Sequence, residues 1–101
     1  MTTLPKTFKI GRHTYVVHSP TMMAKPATRG EICYEMGSIQ VGKQCNVTLR
    51  KYSKKERAEI FWHEVTHGIL FDMGHPLAFN EKFVDAFSKR LNNAIHSATF
   101  D

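Results

Sequence analysis

Apolar and polar positions change their period once along this chain, near residue 50. Across 7–49 apolar residues alternate with polar ones, the period-two pattern of a strand with one buried face. Phe8 and Ile10 alternate with Thr7 and Lys9, Gly11-Arg12 offers a tight turn, and Tyr15 and Val17 resume the alternation. That pattern predicts a β-hairpin. Residues 19–30 hold Pro20, Pro26 and Gly30 among small polar side chains, and read as a loop. A second strand pair is expected at 31–36 and 39–41, joined by a Gly37-Ser38 turn. A short strand at 46–49, with Val47 and Leu49 on one face, closes this half.

From 53 to 97 the period is helical. Ser53-Lys54-Lys55-Glu56 is a capping box, in which Ser53 accepts from the Glu56 amide and Glu56 reaches back to the Ser53 amide. The helix continues through Ala58, Ile60, Phe61, Trp62, Val65, Ile69, Leu70 and Phe71, a stripe wide enough to predict burial round most of its circumference. Gly74 supplies a left-handed stop, and Pro76 forbids continuation. Asn80 caps a second helix whose Phe83, Val84, Phe87, Leu91 and Ile95 share a core-facing side. No repeat and no linker separates the halves. The expected fold class is α+β, one domain over 1–101 with a β-rich half (1–49) and a helical half (53–97), its small antiparallel sheet packed on both helices.

A length of 101 residues is one domain's worth. Seven Phe, three Tyr and one Trp, within 42% apolar residues, exclude a disordered chain. No apolar run approaches the roughly 20 residues of a membrane span, so no membrane partner is expected. The N-terminal Met1-Thr2-Thr3-Leu4-Pro5-Lys6 has no basic segment followed by an apolar one, so a cytoplasmic location is expected, with Cys33 and Cys45 reduced. Cys33 reads as a small core residue and Met22 and Met23 as a cover over the core. The formal charge of +5 is concentrated at 50–57, where five cations face one anion. Such a run suits acidic partners, nucleic acid included, although Tyr52 is its one aromatic and the helix cap explains part of it.

The chemistry lies in His63-Glu64-Val65-Thr66-His67. Two imidazoles four residues apart stand one above the other on a helix, where both reach a single Zn²⁺. Glu64 follows the first of them, placed to act as general base on a metal-bound water without ligating the metal. Six His and six Glu in 101 residues produce this pattern in roughly 2% of shuffled chains, which makes coincidence the poorer explanation. A catalytic zinc needs a third protein ligand. Asp72, five residues past His67, is rotated away from the metal side. Glu81, at the start of an antiparallel second helix, His75 in the turn, and Asp85 compete for the position. Asp85 is also suited to accept the spare N–H of a ligating histidine. Tyr34, Tyr52 and His75 are candidate donors to an oxyanion. His13, His18 and His96 read as surface or strand residues.

His63 to His67 followed by Asn80-Glu81-Lys82-Phe83-Val84-Asp85 resembles the gluzincin pattern, HExxH and then Glu-x-x-x-Asp on a second helix. Gly30-Glu31-Ile32-Cys33-Tyr34 and the Trp62 to His67 segment resemble small phage-encoded zincin-like peptidases, with similarity over about 30–95. The resemblance implies a minimal zincin-like fold and zinc-dependent peptide hydrolysis. It implies His63, His67 and Glu81 as ligands to one Zn²⁺ per chain, Glu64 as the base, and Asp85 supporting a ligating histidine. It also implies a protein or peptide substrate paired to a sheet edge near 39–41, and the cytoplasm of a bacterial host. Thirteen residues separate His67 from Glu81, fewer than in the larger thermolysin-like members, and their substrate-binding lobe is absent. A catalytically idle zincin fold that binds a host, phage or nucleic-acid-associated partner is the alternative expectation.

Overall fold

A computed structural model describes residues 4–100; residues 1–3, which carry part of the reading of the N-terminus, lie outside it, as does Asp101. Four strands and two helices follow in the order β1 (Thr7–Ile10), β2 (His13–His18), β3 (Gly30–Cys33), β4 (Ser38–Val41), α1 (Lys54–Asp72) and α2 (Glu81–Ser97). The fold is α+β, as the change of period predicts. β1 and β2 form the expected hairpin, turning at Gly11, whose φ is +59°.

The sheet is mixed, in the order β1-β2-β4-β3, where an antiparallel sheet was expected. β3 and β4 pair antiparallel, whereas β2 and β4 run parallel, with Val17 opposite Ile39. The loop at 19–29 produces this arrangement by carrying the chain past the β4 position to the far edge, where β3 forms and from which the chain returns through a hairpin as β4. β4 is therefore central, and the edge expected at 39–41 belongs instead to β3.

The loop is tied down by backbone bonds from Lys43 to Pro20 and from Gln44 to Thr21, each 3.0 Å. Met23 beneath it is buried, whereas Met22 is exposed. Asn46 braces the same loop, donating to the carbonyls of Met23 and Lys25 and accepting from the Ala27 amide. Residues 46–48 are consequently a turn and not a strand, Leu49 has a φ of +62°, and Val47 and Leu49 point outward.

α1 begins with the capping box: Ser53 Oγ accepts from the Glu56 amide at 3.1 Å and Glu56 Oε1 from the Ser53 amide at 2.9 Å. It stops where Gly74, at φ +65°, donates to Phe71 and His75 donates to Leu70. Ile60, Phe61 and Val65 on α1 join Ile10, Tyr15, Ile39 and Val41 of the sheet in the core. Gly68 allows this approach, since a Cβ there would lie 2.7 Å from Ile10 Cδ1 and 3.0 Å from Ile32 Cδ1. The far end of α1 is less buried than its stripe predicts, with Ile69 and Phe71 exposed.

The helices do not share the sheet. α2 packs on α1 and touches no strand, so the layers run sheet, α1, α2. The buried residues of α2 are Val84, Ser88 and Asn92, flanked by half-buried Phe83, Leu91 and Ile95. Phe87, expected in the core, is exposed and stacks on Phe83. Cys33 is half-buried at the end of β3 and does not enter the core cluster.

Candidate metal centre

His63 and His67 lie on the middle of α1, on the side facing α2, and Glu81 is the first residue of α2. Two successive turns in the connection return the chain: Ala78 donates to His75 and Asn80 to Leu77. Asn80 then caps α2 by accepting from the Phe83 amide at 2.9 Å. The short path from His67 is sufficient to bring Glu81 over both imidazoles.

One carboxylate oxygen of Glu81 lies 2.7 Å from His67 Nε2 and the other 3.1 Å from His63 Nε2. Donor atoms of these three residues fall within 4.8 Å of one another, close enough to share a metal ion. His67 Nδ1 lies 2.6 Å from the carbonyl of Ala78, which can only accept, so Nδ1 carries a proton. In the neutral ring Nε2 is then a bare lone pair facing a carboxylate oxygen. Such an arrangement calls for a positive charge between the two groups, and two imidazoles with a carboxylate suit zinc. Burial lowers the pKa of His63 despite the opposing pull of Glu81, which favours the neutral ring a metal requires.

Asp85 Oδ1 lies 3.8 Å from His63 Nδ1, on the ring's other side from Glu81, while its second oxygen is 3.1 Å from Lys89 Nζ. It stands where a support for His63 is expected and outside the three-residue cluster. His75 is turned away: its Nδ1 accepts from the Leu77 amide at 3.0 Å, and it does not reach the cluster.

The cluster opens into a cavity of about 530 Å³. Glu64, only 8% exposed, lines it beside the histidines. Burial first, then the charges of Glu81 and Glu31, push its pKa up to about 8, against a smaller downward pull from Arg29. Tyr34 lines the cavity as well, and burial with the charge of Glu64 raises its phenol to about 12, so it remains a donor. Tyr52 does not belong here, nor does His75 line the cavity. Tyr52 packs against the core, with the Arg50 guanidinium 5.7 Å from its ring centre.

Arg29, Gly30, Glu31 and Phe79 also line the cavity and were not singled out as site residues from sequence. Gly30 packs against Glu64: a Cβ there would lie 2.5 Å from Ile60 Cγ2 and 3.4 Å from Glu64 Cγ. The basic run is partly used within the fold. Arg50 holds Glu56 through two bonds of 2.9 and 2.7 Å, and Arg57 donates to Ser19 at 2.8 Å. Among the described residues no helix is long and apolar enough to cross a membrane.

Comparison with protein-family models, curated proteins and solved structures gives no match to this chain.

Proposed function

We propose that this protein is a zinc-dependent peptidase of minimal zincin-like design, with His63, His67 and Glu81 holding the ion and Glu64 acting as general base. The observation that carries this reading is the single Glu81 carboxylate spanning both Nε2 atoms, with His67 oriented by the Ala78 carbonyl. Bound zinc would supply a water of lowered pKa and a positive field for a polarised carbonyl.

The chain's own groups do the rest. Glu64, in the cavity wall beside the histidines, acts as a carboxylate, the form that the ion's positive charge would favour, taking a proton from water there and delivering it to the leaving amine. The Tyr34 hydroxyl donates a hydrogen bond to the oxygen that gains charge as the carbonyl becomes tetrahedral. Asp85, its Oδ1 3.8 Å from His63 Nδ1, lends that ring a nearby negative charge without a direct hydrogen bond. The exposed edge of β3, which runs beside the cavity, offers backbone groups to an extended peptide.

Elemental mass spectrometry of purified protein tests the centre. About one zinc per chain is expected in the wild type and in His75→Ala, with loss of zinc in Glu81→Ala. Glu64→Gln should keep its zinc and lose hydrolysis of a fluorescent casein substrate. A folded wild type that takes up no zinc would end the reading. Zinc without hydrolysis would leave a metal-bound protein whose role is to bind a partner.

A further inference from the structure

The peptidase reading leaves the choice of substrate open, and the wall of the cavity carries information about it. Three aromatic rings from three separate segments meet at one corner. Tyr34 follows β3, Phe71 lies in the last turn of α1, and Phe79 precedes the cap of α2. Tyr34 and Phe71 stack with ring centres 3.9 Å apart and planes inclined by 13°. Phe79 stands edge-on to both, 6.2 Å from each.

This cluster is ordered as core aromatics are, yet it lies open: Phe79 is 70% exposed and Phe71 45%, against 2% for Phe61. Single exposed apolar side chains are ordinary, but a mutually packed set continuous with a polar cavity is the make-up of a binding site. Tyr34 and Phe79 form part of the wall that also contains His63, Glu64, His67 and Glu81. Phe79 is two residues from Glu81 and adjacent to Ala78, so the connection that orients the cluster of ligands also sets this ring. Beyond Glu64 and the candidate ligands, the charged lining is one residue of each sign, Glu31 and Arg29.

Resting on the peptidase reading, we infer that the Tyr34–Phe71–Phe79 corner receives a large apolar or aromatic side chain of the peptide, next to the bond that is cut. Phe79 is then a specificity-determining residue, contributing ring contact and no chemistry.

Binding tests this apart from catalysis. The zinc-loaded Glu64→Gln protein is titrated into short fluorescein-labelled peptides that are identical except for a central Phe, Leu, Ala or Arg, with anisotropy as the readout. The Phe and Leu peptides should bind about tenfold more tightly than the Ala peptide. Phe79→Ala, at a largely exposed position, should erase that preference and leave zinc content unchanged. Equal affinities, an Arg peptide binding as well as Phe, or a preference that survives Phe79→Ala would each overturn the inference. So would self-association abolished by Phe79→Ala without any peptide preference, which would assign the corner to a second copy. Selective binding by a wild type that cuts none of the peptides sinks the peptidase reading alone. Equal cutting of the Phe and Ala peptides sinks the specificity alone.

Discussion

The Ala78 carbonyl accepts a hydrogen bond from His67 Nδ1 across 2.6 Å, fixing which nitrogen of the buried ring carries its proton. The turn between the helices thereby sets the chemistry of a side chain eleven residues earlier. In the zinc-loaded protein, long-range proton–nitrogen correlation should find a proton on Nδ1 of His67 and none on Nε2. A proton on Nε2 would remove that nitrogen from the ligand set.

Gly30→Ala should injure activity more than metal binding. Its new Cβ would press on Ile60 and on the Gln40 carbonyl, 3.0 Å away, and the strand beside Glu64 would have to shift. A cost of about 1–3 kcal/mol in urea unfolding is expected from such overpacking. Zinc content should hold, since none of the three candidate ligands is touched, while hydrolysis falls further than the loss of folded protein explains. Unchanged hydrolysis would mean that the position of Glu64 tolerates the shift.

The start of α1 makes stability depend on acid. The Arg50 guanidinium, then the Ser53 amide, hold Glu56 down at about 2, against an ordinary 4.5. The unfolded chain thus binds a proton near pH 4.5 that the folded one still refuses. Stability contributed above pH 4.5 is lost as pH falls toward 2. Urea midpoints measured from pH 6 to pH 2.5 should fall less steeply in Glu56→Gln than in the wild type. Ser53→Ala, which leaves the Glu56 amide without its acceptor, should cost about 1 kcal/mol at neutral pH.

Asn92 is buried in α2, and neither amide atom has a hydrogen-bond partner among the described residues. A side chain of similar volume without polar atoms escapes the penalty of burying them. Asn92→Leu is accordingly expected to raise the urea midpoint, by about 1 kcal/mol of stability. A loss would mean that an ordered water satisfies the amide.

The caps of both helices were legible because each is decided within one turn of chain. Ser53 with Glu56, and Asn80 ahead of Phe83, need only backbone amides three residues away. The His63–His67 pairing was legible for the same reason, being fixed by the pitch of the helix. The parallel β2–β4 pair was not, since it depends on where an eleven-residue loop at 19–29 delivers the chain. Asn46 misled because its neighbours Val47 and Leu49 alternate like a strand, while its amide is committed to a loop twenty residues earlier. Phe87 misled because apolar spacing identifies a face without saying what covers it: α2 meets only α1, and Ser88 and Asn92 occupy the contact. The Tyr34–Phe71–Phe79 corner joins three segments that no local pattern connects.

The layer order would give a bound ion a mechanical role. α2 leans on a single neighbour through a seam that includes Ser88 and Asn92, with no strand behind it. The candidate ligands bridge that same seam, two from one helix and one from the other. A shared ion would then be a rivet between the outermost layer and the rest, adding stability that grows with the logarithm of metal concentration above its dissociation constant. Scarcity of metal would loosen α2 first, leaving the sheet and α1 to stand as the more durable unit. Metal supply would thus govern both the chemistry and the endurance of the folded chain.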